Sequence, residues 1–172
     1  MNWNKILIAL PIMGVILLTT GCKKEEGFGP LTDSKPDIPV TVSNVFDYRP
    51  SPTVKASKAE NKILITLQIP SNLGRTIKEI SKIAASTTGN YNAIYSGTTV
   101  GTATSQLWSA TPIPVNATSY TFTTTFDEYK AKTGITATPA SNALLGRDFY
   151  FLLTLDNGQT LIPENVRVWV VD

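Results

Sequence analysis

The sequence of 172 residues contains no histidine and only one cysteine, Cys22. Histidine is the most frequent general base in enzymes and the commonest transition-metal ligand, so its absence excludes a Ser-His-Asp triad and histidine-ligated metal centres. A single cysteine cannot form an intramolecular disulfide. We therefore expect no catalytic residues, no metal site and no cofactor. A Ser–Lys arrangement stays open, although no motif marks one.

An excess of charge of one sign is also missing. The chain has 15 basic and 13 acidic residues, and the basic ones are scattered. Nucleic-acid-binding domains carry clustered positive charge, so we expect no nucleic-acid partner. The adjacent carboxylates Asp127 and Glu128 suit the first turn of a helix better than a hydrolytic pair, whose carboxyl groups come from separated elements about 5–9 Å apart.

No hydrophobic run is long enough for a regular membrane span. The longest extends from Ile6 to Leu18, whereas a helix needs about 20 apolar residues to cross a bilayer. Lys5 before this run and the small residues Thr19-Thr20-Gly21 after it are typical of a secretory signal peptide. A transmembrane helix with a buried thiol is the alternative interpretation.

Cys22 directly follows Gly21, and this junction resembles a bacterial lipoprotein signal peptide. Thr19 stands where the lipobox usually has an aliphatic residue, and Leu18 lies one position earlier. The resemblance implies that residues 1–21 are removed and that Cys22 carries the lipid. Two or three acyl chains would then anchor the protein to a membrane far more firmly than one chain does.

Lys23, Lys24, Glu25 and Glu26 follow the cysteine and resemble the export signal of surface lipoproteins in the Bacteroidetes. The resemblance implies an outer-membrane protein that faces the cell exterior. A solvated charged linker, with the protein on the periplasmic face, is the alternative. Residues 22–39 are rich in Gly and Pro, so we interpret them as a flexible tether ahead of a domain at 40–172.

The composition and periodicity of residues 40–172 predict β-structure. The clearest strand is 62–69, in which apolar and polar residues alternate. Residues 76–86 fit either a strand or a helix; we favour a strand with Ile77, Ser81, Ile83 and Ala85 on one face and Ile80 on the other. The other predicted strands are 40–45, 90–96, 101–108, 119–126, 148–155, 159–162 and 166–171, and Thr111–Pro114 is expected to interrupt pairing.

Two local signals complete the prediction of the fold. Residues 127–133 are predicted to form a short helix that ends at Gly134. Asn157-Gly158 predicts a hairpin turn. Seven to nine strands at this spacing predict an all-β, immunoglobulin-like Greek-key β-sandwich without the Cys–Trp–Cys signature. The order of elements from Tyr120 to Gly158 is similar to that of the Ig-like domains in Bacteroidetes surface lipoproteins.

Aromatic residues are the best candidates for ligand binding. Tyr91, Tyr95, Trp108 and Tyr129 lie in polar stretches and could stack on a ligand, whereas Trp169 alternates with valines and is expected in the core. The alternative is that all of them complete the core or a sheet edge. We expect a non-enzymatic binding module for a glycan, a peptide or a neighbouring outer-membrane protein. The alternative functions are a structural or assembly accessory and, third, a hydrolase.

Overall fold

The computed structural model describes residues 38–48, 50–135 and 142–172, which contain twelve strands and two α-helices. The strands are β1 (Thr41–Val42), β2 (Asp47–Tyr48), β3 (Pro52–Ser57), β4 (Ile63–Gln68), β5 (Ile77–Ser86), β6 (Leu107–Ser109), β7 (Ile113–Ala117), β8 (Ser119–Thr124), β9 (Ala143–Leu144), β10 (Asp148–Leu155), β11 (Thr160–Leu161) and β12 (Arg167–Val171). The helices are α1 (Asn92–Ser96) and α2 (Phe126–Thr133), and a 3-10 turn spans Ser71–Leu73.

The strands form a Greek-key β-sandwich, as the sequence predicts. One sheet has the order β1-β4-β8; the facing sheet has the order β11-β10-β5-β6, with β7 also paired to β5. The chain passes from β4 to β5 and from β8 to β10 between these two sheets, so each sheet pairs strands that are distant in sequence. A third sheet, β2-β3-β12-β9, contains a parallel pairing of β3 with β12.

The core lies between β4 and β8 on one side and β5 and β10 on the other. Strand β4 is half-buried as predicted: Ile63, Ile65 and Leu67 are fully buried, while alternate residues face outward. Across the sandwich, the ring of Phe122 on β8 lies 5.3 Å from that of Phe149 and 5.6 Å from that of Phe151 on β10. Interlocking aromatic rings therefore join the two sheets.

Residues 77–86 form a strand, which confirms the favoured interpretation; Ile77, Ile83 and Ala85 share the core face as predicted, whereas the predicted places of Ser81 and Ile80 are wrong. Ile77, Ile80 and Ile83 all lie in the main core cluster. The register of β5 against β10 shifts at two places, so Ser81 and Lys78 are extra residues without a partner in the ladder. Each bulge reverses the alternation of side chains, which is why apolar residues at a spacing of three, typical of a helix, share one face of a strand.

Three of the expected local structures between residues 90 and 117 are wrong. Residues 92–96 form the short helix α1 instead of a strand, and the expected strand 101–108 is reduced to β6. Pro114 lies inside β7 instead of ending the pairing. Strand β7 is at the edge of its sheet in the described part of the chain, where the missing N–H of proline costs little.

The chain between β2 and β4 also differs from the expectation. Pro52 begins β3, a six-residue strand that is absent from the predicted set. Proline is tolerated as the first residue of a strand. Phe46, between β1 and β2, is 51% exposed, whereas Val42 on β1 is buried.

Helix α2 confirms the prediction for residues 127–133. Thr125 is its N-cap, and its hydroxyl accepts a 3.0 Å hydrogen bond from the Glu128 N–H. Gly134 closes the helix in the left-handed conformation, with φ of 68°. Acidic residues in the first turn and lysines in the last complement the helix dipole.

The hairpin at Asn157-Gly158 is confirmed, with residues 156–158 between the two strands as the sequence predicts. Only Gly158 has a positive φ, 85°. The Leu155 N–H donates to the Gln159 carbonyl at 2.8 Å, which leaves three residues in the loop. The Asn157 side chain accepts a hydrogen bond from the Gln159 N–H, and the Asp156 N–H donates to the Thr76 carbonyl at 3.0 Å, which ties the turn to the start of β5.

Candidate ligand-binding groove

A groove with a volume of about 300 Å³ opens at one edge of the sandwich. Its walls come from α1, from β11 with the residues that follow it, and from the segment that precedes β1. The described residues that line it are Ile38, Val40, Tyr95, Thr160, Leu161, Ile162 and Pro163. None of them carries a charge at neutral pH, and the volume is at the lower end of the range for ligand pockets.

Helix α1 holds Tyr95 at the groove because its opposite side is buried. Ala93 and Ile94 pack with Leu107 and Tyr150 in a second, smaller core on the outer face of the β10–β5 sheet. Tyr95 projects away from this core and is 70% exposed, the highest value among the large hydrophobic residues that the structure describes. A broad aromatic surface is therefore available beside an apolar depression.

The end of α1 is fixed by Gly97. Its N–H donates to the Ala93 carbonyl at 2.8 Å, and a Cβ at this position would lie only 2.1 Å from that oxygen. A larger residue would therefore displace the end of the helix that carries Tyr95. The Lys82 ammonium also donates to the Gly97 carbonyl, at 2.9 Å.

Tyr91, one turn before Tyr95, holds the start of helix α1 in place through contacts with the sheet and with Asn165. The two rings lie 6.3 Å apart, and the Tyr91 ring packs edge-on against Tyr150 at 4.9 Å. The Tyr91 hydroxyl donates to the Asn165 side-chain oxygen at 3.2 Å and accepts from the Asn165 N–H at 3.3 Å. Because Asn165 follows Pro163 by two residues, this contact joins two walls of the groove.

Asp148 continues this network into the interior. Its carboxylate accepts hydrogen bonds from Asn165 Nδ2 and Thr88 Oγ1, both at 2.7 Å. Burial raises the pKa of Asp148, and the two hydrogen bonds and the charge of Arg167 oppose that shift. Asp148 is 4% exposed, so it supports the groove from within and does not contact a ligand.

Of the four aromatic residues proposed from sequence to contact a ligand, the structure brings Tyr91 and Tyr95 together and buries the other two. Trp108 is 4% exposed and Tyr129 is 2% exposed. Both pack against Phe149, with ring centroids 5.4 Å and 5.8 Å apart. Their rings belong to the main core, which corrects the expectation that they could stack on a ligand.

The Tyr129 hydroxyl has a structural role. It accepts a 2.8 Å hydrogen bond from the Arg147 N–H and lies 3.3 Å from the Arg147 carbonyl, just before β10 begins. Burial raises the pKa of Tyr129 to about 12. The phenol therefore stays protonated and ties α2 to the start of β10.

Two aromatic residues outside the predicted ligand-binding set, Phe46 and Tyr48, are more than half exposed. Phe46 carries the Lys55 ammonium 4.2 Å from its ring centroid, a cation–π contact. Tyr48 is 59% exposed, and its hydroxyl donates to Glu164 at 2.8 Å. Trp169 is half-buried and faces away from the buried Val168 and Val170, so its expected place in the core is wrong. Alternation along β12 could have indicated this, since both neighbours are valines.

The expected lipidation site Cys22 and the expected export signal Lys23, Lys24, Glu25 and Glu26 lie outside the described residues. Within residues 38–48, 50–135 and 142–172, no helix has the length and apolarity needed to cross a membrane. In the same ranges, no three His, Cys, Asp or Glu side chains are grouped so that they could hold a metal ion.

Comparison with known proteins gives no match: no family model, no curated protein and no solved structure is significantly similar to this chain.

Proposed function

We propose that this protein is a lipid-anchored binding module of the outer membrane, without catalytic activity, that captures part of a neighbouring molecule in the groove beside Tyr95. The single observation that carries the proposal is the exposure of the Tyr95 ring next to an uncharged apolar depression. An aromatic ring held at the surface by a helix whose opposite side is buried can bind a ligand with little loss of side-chain entropy.

The anchoring part of the proposal is supported by the sequence around Cys22. Replacing Cys22 with Ser should release the mature protein from membranes, because the acyl chains can no longer be attached. The measurement is the distribution of the protein between the membrane and soluble fractions, with mass spectrometry to establish that residues 1–21 have been removed. A wild-type mature protein without acyl mass would refute the anchor.

The binding part can be tested with a photoreactive residue. We would place p-benzoylphenylalanine at Tyr95 in cells and, as a matched control, at Tyr48, which is a similarly exposed tyrosine on β2. The proposal predicts a covalent adduct after irradiation from position 95 and none from position 48. Mass spectrometry of the adduct distinguishes a peptide from a glycan, and the absence of an adduct from position 95 would contradict the proposal.

A second function, that of a structural or assembly accessory, is favoured by a different observation. Phe46 and Tyr48 are both more than half exposed although they are large and aromatic, and solvent-exposed aromatic residues are enriched at protein–protein contacts. An adduct from position 48 and none from position 95 would support this accessory function instead.

A further inference from the structure

We infer that the ligand of the groove is an extended, uncharged peptide segment that pairs with β11 as an added strand. This inference rests on the proposed function, because it names the class of molecule that the same site takes. Three features of the described residues carry it: the direction of the backbone groups on β11, the absence of charge in the lining, and the position of Tyr95.

The backbone of β11 has hydrogen-bonding groups that face away from its neighbour. Strand β11 is the terminal strand of its sheet in the described part of the chain. Leu155 and Gln159 form one hydrogen-bonded pair of the β10–β11 ladder, and Leu153 and Leu161 form the next one. Thr160 is opposite Thr154 in the intervening pair, which is not hydrogen-bonded. In an antiparallel pair, the N–H and C=O of such an intervening residue point away from the partner strand. Thr160 therefore directs both groups outward.

The edge is short, which itself restricts pairing, but within β11 it carries no side chain that blocks an added strand. Proteins protect exposed edges with lysine, proline or a covering segment. Thr160 and Leu161 bring neither lysine nor proline into β11. Pro163 follows two residues later and has no N–H to offer, which limits a bound strand to about three residues of contact.

The charge and shape of the lining favour a peptide over an acidic glycan. The described lining residues carry no charge, and placing a charged group on an apolar surface without a partner costs free energy. A bound strand would lie about 4.8 Å from β11 and present alternate side chains to the groove. A volume of about 300 Å³ suits one or two apolar side chains, with Tyr95 closing over them.

The experiment selects ligands from a displayed library of random uncharged octapeptides flanked by Gly-Ser, with the acyl-free Cys22→Ser protein as bait. Counter-selection uses the Tyr95→Ala variant of the same protein. The best peptide is then synthesised in two forms, each methylated on alternate backbone nitrogens. Pairing with β11 predicts that one form loses at least about tenfold in affinity and that the other changes less than about threefold.

Three outcomes would overturn the inference. Equal loss with both methylated forms would mean that the peptide does not pair through its backbone. If no peptide is enriched on the wild-type groove relative to the Tyr95→Ala bait, a peptide ligand is excluded. A peptide ligand is also excluded if the protein is retained on an immobilised neutral glucan and the Tyr95→Ala variant is not. In each case an adduct from position 95 in cells would still support binding at the groove, so the two proposals can fail separately.

Discussion

Truncation of Trp108 distinguishes a core aromatic residue from a ligand-binding one. Trp108 is 4% exposed and touches three other rings, those of Phe122, Tyr129 and Phe149, at centroid distances between 5.4 and 6.2 Å. Replacing a buried tryptophan with alanine removes its transfer free energy and leaves a cavity, at a cost of about 3–5 kcal/mol. A domain of this size is stable by about 5–15 kcal/mol, so Trp108→Ala should remove a large part of that stability.

The assay is urea unfolding of the acyl-free Cys22→Ser protein, followed by far-UV circular dichroism, a signal that does not depend on which tryptophans a variant keeps. Tyr95→Ala is the matched control, and because its ring is 70% exposed we expect a change within about 0.5 kcal/mol. If Trp108→Ala does not fold, Trp108→Phe keeps an aromatic ring and should cost less. A Trp108→Ala protein that is as stable as the Tyr95→Ala protein would refute the assignment of Trp108 to the core.

Three further predictions concern features that the fold depends on. Burial raises the Tyr129 pKa to about 12, so the native state holds this proton more tightly than the unfolded state. The free energy of unfolding should therefore fall as pH rises from about 10 to 12. In urea titrations, Tyr129→Phe should make this fall with pH less steep. Asn61 has φ of 48°, and its side chain accepts a hydrogen bond from the Phe126 N–H at the start of α2. Both Asn61→Ala and Asn61→Gly lose this hydrogen bond, but only glycine tolerates that φ without strain. Thermal melts should therefore show Asn61→Ala to be less stable than Asn61→Gly by about 1 kcal/mol, and equal stability would contradict this reasoning. Gly134→Ala should destabilise by about 1–2 kcal/mol, because φ is 68° while the nearest atom to an added Cβ is 3.6 Å away, so the cost is backbone strain and not a clash.

The sequence predicts those elements whose signals are local. Strand β4 shows its alternation over six residues, and α2 has its N-cap, its charges and its terminal glycine within ten residues. In both cases the side chains that determine the structure are neighbours along the chain. The sequence predicts the hairpin at Asn157-Gly158 for the same reason, and the predicted strands 148–155 and 159–162 leave the three-residue loop that the register of β10 and β11 shows.

The errors arise where partners distant in sequence decide the structure. Two bulges in β5 follow from its pairing with β10, and they make Ile80 face the core. Helix α1 has only five residues, and short isolated helices are marginal in water. It forms here because Ala93 and Ile94 pack against Tyr150, a residue more than fifty positions later in the sequence.

The same dependence on distant partners determines which aromatic residues can bind. Trp108 and Tyr95 both follow polar stretches of the sequence, yet one is 4% exposed and the other 70% exposed. Trp108 is on β6, which pairs with β5 and directs the indole into the sandwich toward Phe149. Tyr95 is on a helix that lies on the outer face of the same sheet, and its buried neighbours turn its ring outward. The groove therefore depends on helix α1, which the periodicity does not predict. If residues 90–96 formed a strand, Tyr91 and Tyr95 would lie on the same face of the sheet. That alternation would not predict the contact between Tyr91 and Asn165 that joins two walls of the groove.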